Sequence, residues 1–520
     1  MNGETKKFDI LEDEKFIRGV LSSHSNVNGY ATFQKQSFEN FMENFLPQII
    51  AEHQVLTYDS KSLGQRHIIK FGDITVCKPN NREADGKVSP LLPDEARYRQ
   101  LDYCNPVMLD TTHEVWALNG DEVGELLERH LYREVPFAEI PCMVQTKYCH
   151  LCGKSRLPTM YDGSDRPQQE CPYDEGGYFL VRGLEKTVQV QEGLRTNFPV
   201  IFSFNQPYKY IFVCEVRSRH ESKLRSSSTL QVFVTSKKGG SCPDIFVALP
   251  FLTSMDLQVM MIIRLLGFTD KQMLMRLIVG NDELVAPYIS AILEHPSNLM
   301  QIDELYEYIG KQGTKETTVD ARRRYVTHLL ANELLPHLGF QNTPLINLKK
   351  VMYLSVMIRR LIRAYLNTPS GFNGNEIDAQ KIVEVDDRDH YANKRLSLCG
   401  TLMALLFRQL MRQFVNNLRR YLYMTIENKR YLNIADAVNN RKITAALRYA
   451  FRTGNWTTQR SSGTHVGVTQ MIIRTSHAAL QSQIRRVNTP ICREGKATHL
   501  RQAHASQWGI LCPRYCNFLS

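Results

Sequence analysis

The residues best equipped for chemistry crowd the end of the chain, in "QIRRVNTPICREGKATHLRQAHASQWGILCPRYCNFLS", residues 483–520. Arg485 and Arg486 place two guanidinium forks side by side, a pattern suited to gripping phosphate with paired N–H donors. The run "NTPICREGK" is a tight loop that projects Arg493 and Lys496, and Arg501, Gln502 and His504 add donors behind it. Upstream, "TGNWTTQRSSGTHVGVTQ" surrounds Arg460 with Gly, Ser and Thr loop residues. With Asn488 and Thr489, these residues form a candidate polyanion-holding set. Contacts of this kind fix a nucleic-acid backbone in register without reading its sequence.

The charge distribution points the same way. The chain carries 64 Lys+Arg against 53 Asp+Glu, a net charge of +11. Between Arg441 and Pro513 stand Arg441, Lys442, Arg448, Arg452, Arg460, Arg474, Arg485, Arg486, Arg493, Lys496 and Arg501, with Glu494 as the single acid. Nearly all of the excess is therefore local, as expected of an electrostatic footprint. The competing reading is a solvated basic face against an acidic protein.

Other chemistry is thinner. Cys142, Cys149, Cys152 and Cys171 are the candidate metal set of the first half, and Cys149-His-Leu-Cys152 is a CxxC able to place two thiolates on one zinc. The second pair of a tetrahedral site is missing, so free thiols are the leading expectation. "DDRDHYANKR" (386–395) concentrates aspartates, a histidine and cations, but Asp386 and Asp387 are neighbours and point apart. It reads as a charged joint held by Asp–Arg and Asp–Lys pairs. No Walker-type phosphate loop, nucleophile elbow or dinucleotide fingerprint is present.

"SFENFMENFLPQII" (37–50) has helical spacing with Ser37 as a candidate N-cap, and "HIIKFGDITVCKP" (67–79) reads as strand. "EIPCMVQTKYCHL" (139–151) suggests an extended run, and "GGYFLVRGLEKTVQVQE" (176–192) two strands about a Gly183 turn. Residues 198–250 are strand-rich, 255–365 helical, and a long amphipathic helix starts near Leu396, its apolar stripe read as core. The class is α+β and multidomain. No signal peptide or ~20-residue apolar span is visible, and scattered cysteines fit reduced thiols; a soluble intracellular protein is expected.

The motifs "READGKVSPLLPDEARYRQLDY", "IPCMVQTKYCHL", "GGYFLVRGLEKTVQVQE", "DDRDHYANKRLSLCG", "RYAFRTGNW", "GVTQ" and "RRVNTPICREGKATHLRQAHASQWGILCP" occur in that order along nearly the whole chain. Together they resemble the N-terminal part of the second-largest, β-type subunit of multisubunit DNA-directed RNA polymerases, in its eukaryotic and large-DNA-virus form.

The resemblance implies protrusion and lobe domains plus part of a fork. Residues 1–197 would be the first part of the protrusion, 198–389 the lobe, 390–452 the protrusion's return, 453–513 a partial fork, and 514–520 a non-homologous tail. Arg485, Arg486, Arg501 and Gln502 fall where the family approaches the template strand and the RNA–DNA hybrid. The subunit is non-catalytic by itself within a nucleotidyltransferase complex. No cofactor is expected on this chain, and Mg²⁺ belongs on the largest subunit. Expected partners are that subunit, the other polymerase subunits, template DNA and hybrid, and the C-terminal half of the same subunit. No membrane is involved, and the location would be the nucleus, or the cytoplasm or virion for a large DNA virus. After "WGILCP" the family continues near "AETPEG" where this chain reads "RYCNFLS"; translation into an intron or past a frameshift is expected, against a split subunit. Rival functions are a stand-alone polymerase-interacting or nucleic-acid-binding protein derived from that subunit, and a zinc-dependent nucleic-acid binder.

Overall fold

The computed structural model describes residues 14–20, 22–23, 29–60, 64–119, 122–152, 171, 174–203, 210–220, 227–235, 243–249, 252, 257–280, 282, 284–294, 301–314, 318–366, 385–428, 430, 432–438, 441–457, 464–465, 467–489 and 502–512. The chain divides into two compact units, one comprising Met1–Glu192, Leu396–Ala497 and Leu511–Ser520, the other Gly193–Arg395 and Thr498–Ile510. Both helix and sheet build each unit.

The first unit opens on helix α1 (Thr32–Asn40), which passes through a π-helical turn (Phe41–Phe45) into α2 (Leu46–Ala51). Strands β1 (Val55–Ser60), β2 (Gln65–Val76), β5 (Cys104–Asn119) and β6 (Glu122–Pro141) form an antiparallel sheet in the order β1-β2-β5-β6. Between β2 and β5 lie the short hairpin β3 (Asn80–Arg82) and β4 (Val88–Pro90) and helix α3 (Pro93–Tyr98). The extended run read from 139 to 151 ends at Pro141; turns follow, with Gln145 at φ 62°. Strands β7 (Phe179–Val181) and β8 (Leu184–Val188) close on Arg182 (φ 50°) and Gly183 (φ 73°), the two left-handed positions of a tight hairpin turn. A Cβ on Gly183 would sit 2.9 Å from the Arg97 carbonyl oxygen. Strand β9 (Val190–Leu194) follows.

The second unit is a five-stranded antiparallel sheet of β10 (Val200–Ser203), β11 (Tyr210–Ser218), β12 (Ser228–Thr235), β13 (Ile245–Ala248) and β14 (Leu257–Gln258), in sequence order. Helices α4 (Val259–Leu265), α5 (Lys271–Val279), α6 (Ala286–Leu293), α7 (Ile302–Gly313), α8 (Val319–Asn332) and α9 (Pro344–Leu366) accompany it. One apolar cluster runs from Ile201 and Val232 in the sheet through Val326 to Leu354, Ile358 and Leu361 of α9.

The chain then re-enters the first unit with the long helix α10 (Cys399–Glu427), α11 (Ile434–Val438) and α12 (Arg441–Thr453). The apolar stripe of α10 is core: Met403, Phe407, Met411, Phe414 and Leu422 are buried, and Phe414 meets Phe71 and Phe137. Ser37 does not cap its own helix, which begins five residues earlier at Thr32. It serves α10 instead: Ser37 Oγ accepts the Gly400 N–H at 3.0 Å, and Gln34 Oε1 accepts the Cys399 N–H at 3.2 Å. Two N–H groups that α10 leaves unpaired at its start are thereby satisfied from α1.

Candidate nucleic-acid interface

Helix α13 (His477–Ile484) carries the paired arginines at its end. Ser476 caps it, its side chain accepting the Ala479 N–H at 3.1 Å. The buried Gln483 pins the helix: its Nε2 donates to the Met471 carbonyl at 2.7 Å, and its Oε1 accepts the Ile473 N–H at 2.9 Å. Met471 ends strand β15 (Thr469–Met471), which pairs antiparallel with β8. Beyond the helix, β16 (Val487–Asn488) pairs parallel with β9, Val487 opposite Val190 and Asn488 opposite Gln191. Arg485 and Arg486 are thus held between a capped helix and a strand pair rather than on a free loop.

Their side chains differ. Arg485 is exposed, and its guanidinium lies 5.6 Å from the centroid of the Tyr30 ring, a cation–π arrangement that leaves the fork edge available. Arg486 is half-buried, and its Nε is a buried donor without a hydrogen-bond partner. Asn488 and Thr489 face inward: Asn488 Nδ2 donates to Gln191 Oε1 at 3.0 Å, and Thr489 Oγ1 donates to Glu192 Oε2 at 3.4 Å. They secure the strand end rather than extend the donor row.

Gln502 and His504 belong to the second unit. Gln502 is exposed. His504 Nδ1 accepts the Ser506 N–H at 3.2 Å and lies 2.6 Å from Ser506 Oγ, which leaves Nε2 as the donor to Asp387 Oδ2 at 3.0 Å. Ser506 Oγ also accepts the Tyr391 N–H at 2.8 Å. Burial raises the pKa of Asp387, but the Asp389 N–H and the neighbouring imidazole outweigh it and hold the carboxyl below its usual range. Of the Asp–Arg and Asp–Lys pairs expected of the "DDRDHYANKR" run, an Asp–Arg pair is seen: Asp386 Oδ2 meets Arg360 Nη2 at 3.0 Å and accepts the Ile201 N–H, while Asp387 takes a histidine. Trp508 and Ile510, on the same segment as His504, are 84% and 63% exposed. Arg460, Arg493, Lys496 and Arg501 lie outside the described residues.

Two cations counted toward the basic excess are engaged in ion pairs. Arg448 pairs with Asp102 at 3.0 Å and with Glu139. Arg474 pairs with Glu185 at 2.5 Å and Asp174 at 2.9 Å. Arg474 and Arg97 both lie over the Tyr178 ring, 5.3 Å and 5.9 Å from its centroid, and Arg97 also pairs with Glu185 at 2.8 Å. This network floors a cleft of about 530 Å³ that Leu184 and Met471 also line. It fastens β15 to the β7–β8 hairpin, and its charges cancel locally.

The cysteine set does not converge. Cys142 and Cys149 are buried in an apolar cluster with Tyr103, Tyr178 and Leu480, whereas Cys152 and Cys171 are exposed. A hydrogen bond from Cys142 pulls the Cys149 thiol down to about 6, and burial pushes Cys142 up. Tyr103 OH lies 3.2 Å from the Cys149 sulfur. Among the described residues no three of His, Cys, Asp and Glu are grouped to hold a metal ion, and no helix is long and apolar enough to cross a membrane.

Two family models match this chain: RNA polymerase beta subunit over residues 30–445, and RNA polymerase Rpb2, domain 3, over residues 470–515. The chain belongs to the RNA polymerase beta subunit family and represents an N-terminal part of the second-largest subunit. It is 34% identical to DNA-directed RNA polymerase II subunit 2 of Arabidopsis thaliana, covering 95% of this chain and 41% of that one. It is 33% identical to subunit RPB2 of Encephalitozoon cuniculi, with the same coverage. It is 31% identical to DNA-directed RNA polymerase subunit Rpo2N of Methanococcus vannielii, covering 95% of this chain and 91% of that one. The chain therefore spans about two fifths of the eukaryotic relatives' length.

Proposed function

We propose that this chain forms one wall of the DNA cleft of a DNA-directed RNA polymerase and touches template DNA and the RNA–DNA hybrid during transcription. Its first unit corresponds to a protrusion with part of a fork, and its second to a lobe. The carrying observation is the seating of Arg485 and Arg486 between capped α13 and the β16–β9 pair, with the Arg485 guanidinium exposed. The arrangement holds a phosphate backbone and performs no bond making. Nucleotidyl transfer belongs to the assembled complex, with Mg²⁺ on the largest subunit. Partners are the largest subunit, other polymerase subunits and the remaining part of the second-largest subunit, for which exposed Trp508 and Ile510 offer apolar anchors. The eukaryotic relatives' names, as polymerase II subunits, support a nuclear location.

Reconstitution tests this. The chain is mixed with a largest-subunit homologue and with a polypeptide carrying the rest of the second-largest subunit. Template-dependent RNA synthesis is expected from the assembled set and none from the chain alone. Synthesis by the purified chain, or its failure to associate, overturns the reading.

A further inference from the structure

Helix α12 (Arg441–Thr453) buries Ile443, Thr444, Leu447, Ala450 and Phe451 and has no acidic residue along its length. Its other side presents Arg441, Lys442, Ala445, Tyr449 and Arg452, all exposed, Tyr449 by 54%. At 3.6 residues per turn Arg441, Ala445, Tyr449 and Arg452 fall on one stripe, about 16 Å from first to last. Arg448, at the stripe's edge, engages Asp102 and Glu139. Lys186 Nζ donates to the Arg452 carbonyl at 3.4 Å, bringing a further cation to the helix C-terminus, where the helix dipole favours it.

We infer that this stripe is a second nucleic-acid contact, holding the phosphodiester backbone of a single strand with Tyr449 as a stacking platform for one base. The inference rests on the polymerase-subunit reading and adds a surface outside the Arg485–Arg486 seat. Guanidinium forks match phosphate oxygens bidentately. An aromatic ring held in solvent between them gains little from water and offers its face to an unpaired base, whose stacking does not depend on sequence. Duplex DNA, with its bases already stacked, would leave the ring unused. An acidic protein surface would use the arginines but not the ring.

The test uses the full chain and a fluorescent single-stranded 20-nucleotide probe of mixed sequence, read by polarisation. Three variants are compared with the unmodified chain: Arg441→Ala/Arg452→Ala, Tyr449→Ala and Arg485→Ala/Arg486→Ala. All substituted α12 side chains are exposed, and thermal melts confirm that the variants fold. Tyr449→Ala is expected to weaken probe binding about tenfold while changing duplex binding less than twofold. Arg441→Ala/Arg452→Ala is expected to lower the salt slope by about 1.4, two single-strand contacts at about 0.7 each. Loss of binding only in Arg485→Ala/Arg486→Ala overturns the α12 inference and leaves the polymerase reading intact. No probe binding by the unmodified chain overturns both. Binding that polyglutamate displaces as readily as the probe, with Tyr449→Ala unaffected, assigns the stripe to an acidic protein and overturns the inference.

Discussion

Ser37 Oγ accepts the Gly400 N–H at 3.0 Å, joining residues 363 positions apart at the crossing of α1 and α10. The helices touch there through backbone: a Cβ on Gly400 would lie 1.9 Å from the Ser37 carbonyl oxygen and 2.7 Å from its carbonyl carbon. The absent side chain at position 400 is what lets α10 start against α1.

Gly400→Ala must therefore push two helices apart. Its cost is expected at about 3 kcal/mol, the upper part of the overpacking range. Ser37→Ala removes only the cap and is expected to cost about 1 kcal/mol. Urea unfolding of the three proteins orders them; equal midpoints for Gly400→Ala and the unmodified chain would reject the close crossing.

Acid should destabilise the four-stranded sheet before it protonates most carboxylates. His67 Nδ1 lies 3.1 Å from His113 Nε2, and the His113 ring stacks on those of both His67 and His130. Burial, and then repulsion from His67 and His130, lowers His113 from 6.5 to about 4, against a smaller opposing pull from Glu128. Burial lowers His67 as well. Because the folded pKa is depressed, the unfolded chain binds more protons between these values. Stability is full above pH 6.5 and is lost as pH falls toward about 4. His113→Gln should flatten the urea midpoint across that window; an unchanged slope would dismiss the histidine stack as its cause.

Asp387 gives an acid response in a lower window. Its carboxyl is held below its ordinary 3.8, so its contribution is present above that value and lost as pH falls through the folded pKa. Asp387→Asn should destabilise the second unit at neutral pH, by an amount typical of an exposed pair, under about 1 kcal/mol. The difference from the unmodified chain should vanish in strong acid. A difference that persists there would mean that the Asp387–His504 contact contributes nothing through charge.

On nucleic acid, Arg485→Ala/Arg486→Ala should weaken binding to unrelated duplexes equally and flatten the salt slope by about 0.9 per lost phosphate contact. Arg474→Ala should leave that slope unchanged, because its guanidinium is held by Asp174 and Glu185. Gel-shift titrations across salt concentrations measure both. A slope that falls for Arg474→Ala and not for the pair would exchange their roles.

What the sequence disclosed follows from the range of the forces involved. The α10 stripe, the β2 strand and the Gly183 turn are local patterns, and each stands where its period or turn residue put it. The basic run was legible as charge, yet the ion pairing of Arg448 and Arg474 was not, since the carboxylates of Glu139, Glu185 and Asp174 lie 309, 289 and 300 positions away and that of Asp102 farther still. The same distance hid the role of Ser37, whose hydroxyl looks like a cap from its neighbours and is one for a helix far along the chain. The Cys149 CxxC looked like half of a metal site because spacing says nothing of burial; one thiol faces the core and Cys152 faces solvent.

The alternation of the two units along the chain also bears on how the protein is made. Strand β9 emerges from the ribosome early, and its parallel partner β16 is synthesised far later, with Asn488 and Gln191 separated by 297 positions. The Gly193–Arg395 part of the second unit, which holds its apolar core, can close in the interval. Until α10 and β16 arrive, the nascent first unit has an unpaired strand and an uncovered apolar sheet face, the kind of surface that aggregates or recruits chaperones. Nascent-chain proteolysis should therefore find the interior segment protected before the N-terminal one. Slowing translation between residues 396 and 486 should lengthen the exposure of β9 without delaying closure of the 193–395 core.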